Sequence, residues 1–274
     1  ADGLTESFLA LMMKGGQPLR HMGRPDPKRP FLTPGILDVT NVIERPDIDV
    51  GALFDIVTQG WFMQYELGAE PDYEPGPEKS VLARAQREGR DPVAVAYDML
   101  MEDNGEGFIY LPILNYADGN LDFVHRLLNH PSTVVSLLDG GAHCGVICDA
   151  ASPTFLLTHW VRDRSRGPRI SLEHAVHRQT AHTADLYGLR DRGRLLAGQL
   201  GDVNLIDFAR LKLKRPYVAF DLPAGGRRLL QQAEGYVATI KRGQVTFRDG
   251  QPTGARPGRV VRGPQGLALA QAAE

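Results

Sequence analysis

Phe108-Ile109-Tyr110-Leu111-Pro112-Ile113-Leu114-Asn115 is a short apolar run that ends on a polar residue, and Thr133-Val134-Val135-Ser136-Leu137-Leu138 is a second that ends on Asp139. Between them, residues 121–129 repeat their apolar positions at helical spacing. The order predicts a strand, a helix and a second strand parallel to the first. Both runs are continuously apolar rather than alternating, which predicts a sheet covered on both faces, as in α/β barrels and doubly wound sheets. Such folds gather their catalytic groups at the carboxyl ends of strands. Asp139 occupies that position.

Upstream of this unit, residues 14–46 are rich in Pro, Gly and basic residues and hold no period, so loops are expected there, with a short strand at 35–39. Helical spacing returns at 50–62, 80–88 and 92–102, with Ser80 and Asp91 as N-caps of the last two. The prolines of Tyr73-Glu74-Pro75-Gly76-Pro77-Glu78-Lys79 predict an extended loop. Downstream, helices are expected at 154–161 and 172–187, the second capped by Ser171 and stopped by Gly188. From residue 199 the pattern changes to short strands: 203–206, then a hairpin of 236–240 and 245–247 about Arg242-Gly243, followed by the Asp249-Gly250 turn. Residues 199–263 therefore read as a separate small β-domain and 264–274 as a loose tail.

With 274 residues, 42% hydrophobic and 23% charged, the chain has the composition of an ordinary globular protein. A net charge of -2 gives no electrostatic footprint for nucleic acid or an anionic membrane. Two cysteines, Cys144 and Cys148, make no disulfide framework and fit a reducing compartment. With no basic leader before an apolar run and no stretch of about 18 apolar residues, the expectation is a cytoplasmic protein.

Asp139 is followed by Gly140-Gly141-Ala142-His143. A carboxylate there can ligate a divalent metal or accept a proton from water; it can also simply cap the following turn. His143, four residues on, can hydrogen-bond a substrate carbonyl, ligate a metal or bond to backbone. The run His143-Cys144-Gly145-Val146-Ile147-Cys148-Asp149 matches no standard zinc-finger or ribbon spacing. His174 and His177 share a helical face, but no third ligand is near them in sequence. Pro223-Ala224-Gly225-Gly226-Arg227-Arg228 lacks the pattern of a phosphate loop and reads as a turn.

Several motifs, in this order, resemble the D-aminoacylase branch of the amidohydrolase superfamily. They are Tyr73-Glu74-Pro75 with Lys79-Ser80, Asn115-Tyr116, Leu138-Asp139-Gly140-Gly141-Ala142-His143 with Ile147-Cys148-Asp149, Thr158-His159-Trp160, and Tyr187-Gly188-Leu189 through Asp191-Arg192-Gly193. Gly201-Asp202-Val203-Asn204-Leu205-Ile206-Asp207, Asp221-Leu222-Pro223-Ala224-Gly225-Gly226 and Thr253-Gly254-Ala255-Arg256-Pro257-Gly258-Arg259 complete the set. The resemblance implies an α/β fold in which residues 1–198 are the C-terminal part of a metal-dependent (β/α)8 barrel with a loop and helix insertion, followed by a small β-sandwich. It implies hydrolysis of an amide bond in an N-acyl-D-amino acid, with one or two divalent metals, usually zinc.

Asp139 would then be catalytic and a metal ligand, with His143, Tyr73, Ser80 and Asn115 binding substrate. The family's first-strand His-x-His pair has no counterpart here, since no His-x-His occurs in the chain. Most metal ligands, and the N-terminal half of the barrel, are thus expected outside this chain, in the same or a separate polypeptide. No arginine follows Asp139 by about a dozen residues, where the family binds the substrate carboxylate; Ala150 and Ala151 stand near that place. Two other readings stay open: a non-catalytic remnant that binds a partner chain, and a cyclic-amide or carbamoyl hydrolase on the same scaffold.

Overall fold

The computed structural model describes residues 60–112, 115–135 and 151–265. These residues form two units. One holds 60–123 and 214–231; the other holds 124–135, 151–213 and 232–265.

In the first unit the chain makes a 3-10 turn at Trp61–Met63 and a short strand, β1 (Tyr65–Glu66), then the 72–80 loop and two helices, α1 (Val81–Glu88) and α2 (Pro92–Gly105). Local chemistry sets both helix starts. Ser80 Oγ accepts the Ala83 N–H at 3.1 Å, and Asp91 Oδ1 accepts that of Val93 at 2.7 Å with Pro92 at the first helical position. Gly89, at φ 63°, ends α1. α2 breaks near its end, where Asp103 and Asn104 take left-handed backbone that their short polar side chains tolerate. Strand β2 (Ile109–Tyr110) follows and pairs with β1 antiparallel, Tyr65 opposite Tyr110. The buried core is aliphatic: Val81 and Ala85 of α1 meet Val95, Met99 and Leu100 of α2 and Ile109 of β2, with Trp61 and Met63 against them.

The second unit contains α3 (Asp122–Asn129, whose first residues belong to the other unit), α4 (Ser152–Phe155) running into a π-helix at Leu156–Asp163, α5 (Leu172–Gln179) and α6 (Ala181–Leu186). It also contains a four-stranded antiparallel sheet in the order β10-β9-β8-β3: β3 (Val203–Ile206), β8 (Tyr236–Lys241), β9 (Gln244–Arg248) and β10 (Gln251–Pro252). Both hairpins have two-residue turns, Arg242-Gly243 and Asp249-Gly250, with positive φ at each position. That backbone matches the twist of the strands it joins. Asp202 fixes the sheet's end by accepting the Arg242 N–H at 2.9 Å and pairing with Lys241. A further pair, β4 (Lys212–Leu213) with β7 (Ala233–Glu234), lies in this unit, while β5 (Tyr217–Leu222) and β6 (Gly226–Leu230) form a ribbon in the first.

The structure corrects several expectations. The expected 172–187 helix is two, because Thr180 leaves helical backbone (φ -121°, ψ -91°) between them. The 154–161 helix widens into a π-helix, its end closed by Arg164 N–H bonding to the His159 carbonyl at 2.8 Å. The 73–79 loop contains a 3-10 turn, Pro77–Lys79, since proline at the first position suits a turn that needs no N–H there. Of the 50–62 helix only the end is described, and it is the 3-10 turn; the 35–39 strand lies outside the described residues. The β2 strand is shorter than the apolar run and its described neighbour is antiparallel. Residues 133–135 carry no strand, and the rest of the second run lies outside the described residues. Gln265 is anchored, exchanging backbone hydrogen bonds with Gly188 and Arg190 at 2.9 and 3.0 Å. No helix among the described residues is long and apolar enough to cross a membrane.

Candidate active site

The loop carrying Tyr73 meets β2 and the segment that begins at Asn115. Tyr116 Oη donates to the Pro75 carbonyl at 2.6 Å, and Tyr110 Oη donates to the Tyr73 carbonyl at 3.2 Å. The rings lock together as well: Tyr73 stands edge-on to Tyr110 at 5.4 Å and Tyr65 edge-on to Tyr116 at 6.4 Å. Tyr73 Oη accepts from Gln231 Nε2 at 3.0 Å. Asn115 takes left-handed backbone, φ 61°, directly after the apolar run. Non-glycine residues adopt that region rarely, asparagine most readily, so Asn115 supplies a turn residue five positions past the end of β2.

Ser80 is 3% exposed and its hydroxyl oxygen is the cap of α1. The group that sequence reasoning passed over is Glu74. Only 2% exposed, it accepts the Leu121 N–H at 2.8 Å through Oε1, and its own N–H is held by Asp72 Oδ1 at 3.0 Å. A buried carboxylate is tolerated only where donors compensate its lost hydration. The only local signal was a glutamate between an aromatic residue and a proline; its partner lies far along the chain.

Asp139, His143, Cys144 and Cys148 lie outside the described residues. The described histidines of the π-helix, α5 and α6 have the following surroundings. His159 stacks on Phe155 at 4.5 Å, His174 Nε2 meets the Leu128 carbonyl at 3.1 Å, and the rings of His177 and His182 lie 5.7 Å apart. His182 is held below the usual imidazole range by burial first and then by Arg178. The Pro223–Gly225 segment is the turn between β5 and β6, as expected of it. Among the described residues no group of three His, Cys, Asp or Glu side chains could hold a metal ion.

The profile of the amidohydrolase family matches residues 89–247, more than half of the chain. The chain belongs to that family. An uncharacterized protein of Mycobacterium tuberculosis is 30% identical to the amidohydrolase chain over 220 residues, covering 72% of this chain and 35% of that protein. N-succinylglutamate 5-semialdehyde dehydrogenase of Sphingopyxis alaskensis is 62% identical over 58 residues, 21% of this chain and 12% of the dehydrogenase. Among solved structures, D-aminoacylase is similar at 23% identity and a TM-score of 0.37, over 70% of this chain and 36% of that one. N-acyl-D-glutamate deacylase from Bordetella bronchiseptica, complexed with zinc and a phosphonate inhibitor, gives 23% and 0.35, over 76% and 38%. The amidohydrolase chain thus spans about a third of the length of its longer-matching relatives.

Proposed function

We propose that this chain is part of a hydrolase acting on a carbon–nitrogen amide bond, with an N-acyl-D-amino-acid deacylase-like substrate, and that Asp139 handles the proton. The observation that carries the reading is the family match over 89–247, which encloses Asp139 at the end of an apolar run, followed by Gly140-Gly141 and His143. In this reading 1–198 supply the C-terminal part of a (β/α)8 barrel and 199–263 a small β-domain. The remaining barrel comes from the same or a separate chain, in keeping with the third of the relatives' length spanned here.

Asp139 takes a proton from the attacking water and returns it to the leaving amine, so that neither hydroxide nor an amide anion need form free. His143 hydrogen-bonds the substrate carbonyl, and its bond strengthens as charge builds on that oxygen. Tyr73, Ser80 and Asn115 shape the substrate end: Tyr73 through the rigid loop, Asn115 through the turn beyond β2, Ser80 through the placement of α1. A divalent metal, zinc by expectation, belongs to the proposal with ligands beyond the described residues. The described donors do not fit one, and the chemistry assigned to this chain is confined to its own proton transfer.

Asp139→Asn in the active protein tests this. Asparagine keeps the shape but cannot accept the proton, so kcat on a panel of N-acetyl D- and L-amino acids should fall at least about 10²-fold, with KM and the melting curve little changed. Near-normal kcat, or a loss explained by unfolding, would leave Asp139 as a turn cap and sink the assignment.

A further inference from the structure

His182 stands where α5 and α6 meet, just past the break at Thr180. Its ring lies 5.7 Å from that of His177, and its Nδ1 is buried with no hydrogen-bond partner among the described residues. The junction is stitched by Thr183 Oγ1, which donates to the Arg178 carbonyl at 2.8 Å. Arg178 is itself 4% exposed. Its guanidinium donates to Thr133 Oγ1 at 2.7 Å and to the His130 carbonyl at 3.4 Å, and its Nε is likewise buried without a partner among the described residues.

The charges around the imidazole are one-sided. Arg178, His177 and His174, all on α5, oppose a positive charge there, and Asp185 of α6 alone favours one. Asp185 is exposed and already holds a two-pronged pair with Arg194. The elements packed on α5 supply no free counter-charge: Asp163 of the π-helix is paired with Arg162, and the 130–133 segment presents a carbonyl and a hydroxyl, with His130 Nδ1 accepting the Ser132 N–H. A neutral imidazole needs one acceptor, whereas an imidazolium has two N–H donors to satisfy. Nδ1 has no acceptor among the described residues, and a second cation beside a buried guanidinium compounds the cost. We propose that His182 is an acid-sensitive latch: neutral, it lets α6 close on α5; protonated, it opens the junction and with it the hold of Arg178 on 130–133. Burial first, and then Arg178, keeps the closed imidazole below its usual range. An open imidazole takes up its proton near pH 6.5 or so, about the free value, and the closed one only at lower pH. Closure is therefore at full strength above about 6.5 and weakens as pH falls from there towards the closed-state value.

Amide hydrogen exchange on this chain, followed at 172–187 and 130–133 from about pH 8 to about pH 5 and corrected for the intrinsic pH dependence of exchange, reads the opening. Protection should be flat down to about pH 6.5 and then fall, by at most about 10-fold per pH unit because one proton is linked to one opening. Asp185 and Asp191, held below the usual carboxylate range by Arg194 and Arg192, titrate beneath this window. His182→Phe fills the place without titrating and should make protection independent of pH across the window. His177→Gln, at an exposed position, should leave most of the fall in place. Should His182→Phe not fold, the ring titration of His182 by NMR in the unmodified chain decides: its midpoint must lie below about 6.5, and the loss of protection must accompany it. Protection flat to pH 5 or so in the unmodified chain, a fall that survives His182→Phe, or a His182 midpoint at or above about 6.5 each overturns the latch. A fall at 172–187 with 130–133 unmoved overturns its link to Arg178.

Discussion

The two units are held by different physics. The first packs aliphatic side chains from α1, α2 and β2 and secures its loop with tyrosine rings and hydroxyls. The second buries charge: Arg164 lies over the Trp160 ring at 4.8 Å and donates to the Pro168 carbonyl at 2.7 Å, Arg178 holds Thr133, and Asp191 forms a two-pronged pair with Arg192 at 2.8 and 3.0 Å. Apolar burial is indifferent to pH and tolerant of direction, whereas buried charge depends on protonation and on hydrogen-bond geometry. The difference teaches that the first unit, its buried Glu74 apart, should respond mainly to volume and the second more to charge and backbone shape. Each unit contains one of the two tryptophans, Trp61 in the first and Trp160 in the second. Trp61→Phe and Trp160→Phe backgrounds therefore report the units separately by fluorescence.

The largest effect is expected from Leu100→Ala in the first unit. Leu100 is fully buried in the aliphatic core, and truncation should cost about 2–5 kcal/mol, seen as an earlier denaturant midpoint in the Trp61 signal at every pH. A cost that varied with pH would break the contrast.

Gly235→Ala, in the second unit, should have an effect of comparable size. Gly235 has φ 97°, and an added Cβ would stand 2.6 Å from the Cα of buried Leu211. The backbone conformation alone costs about 1–2 kcal/mol for a residue with a side chain, and the overlap about 1–3 more. The Trp160 melt should shift; an unshifted melt would mean that β7 and Leu211 separate freely.

Asp191→Asn sharpens the comparison through pH. Its hydrogen bond with Arg192, above all, holds the Asp191 carboxyl below the usual carboxylate range. A folded-state pKa below the unfolded one gives stability that is present above the unfolded value, about 3.9, and is lost as pH falls through the folded value. The second unit should accordingly lose stability as pH drops below about 4, and Asp191→Asn should flatten that loss while costing about 1.5–3 kcal/mol at neutral pH, the scale of a hydrogen bond to a charged group. Equal acid responses in the two Trp signals would erase the distinction.

The smallest effect is expected from Ser80→Ala, about 1 kcal/mol for a lost cap. If it instead altered KM in the active protein while leaving the Trp61 melt unmoved, Ser80 would be a substrate contact rather than a cap.

Much of this architecture was legible because it is local. Ser80, Asp91 and Ser171 each cap a helix through a bond no more than three residues long in sequence, and Arg242-Gly243 and Asp249-Gly250 turn within their own dipeptides. Glu74 escaped notice because its partner, Leu121, is 47 residues away. The break at Thr180 was hidden for the opposite reason: apolar spacing continues through it, and nothing in 172–187 marks a stop before Gly188.

By itself, then, the sequence determined where helices begin, where hairpins turn, and that an aspartate followed by two glycines ends an apolar run, since these depend on side chains bonding to their own neighbouring backbone. Only the tertiary structure decided that β2 pairs antiparallel with β1, that Tyr116 pins the Pro75 loop, and that a buried arginine reaches Thr133 from 45 residues away. Those contacts join groups distant in sequence, and their energy depends on burial and mutual geometry that no local pattern encodes.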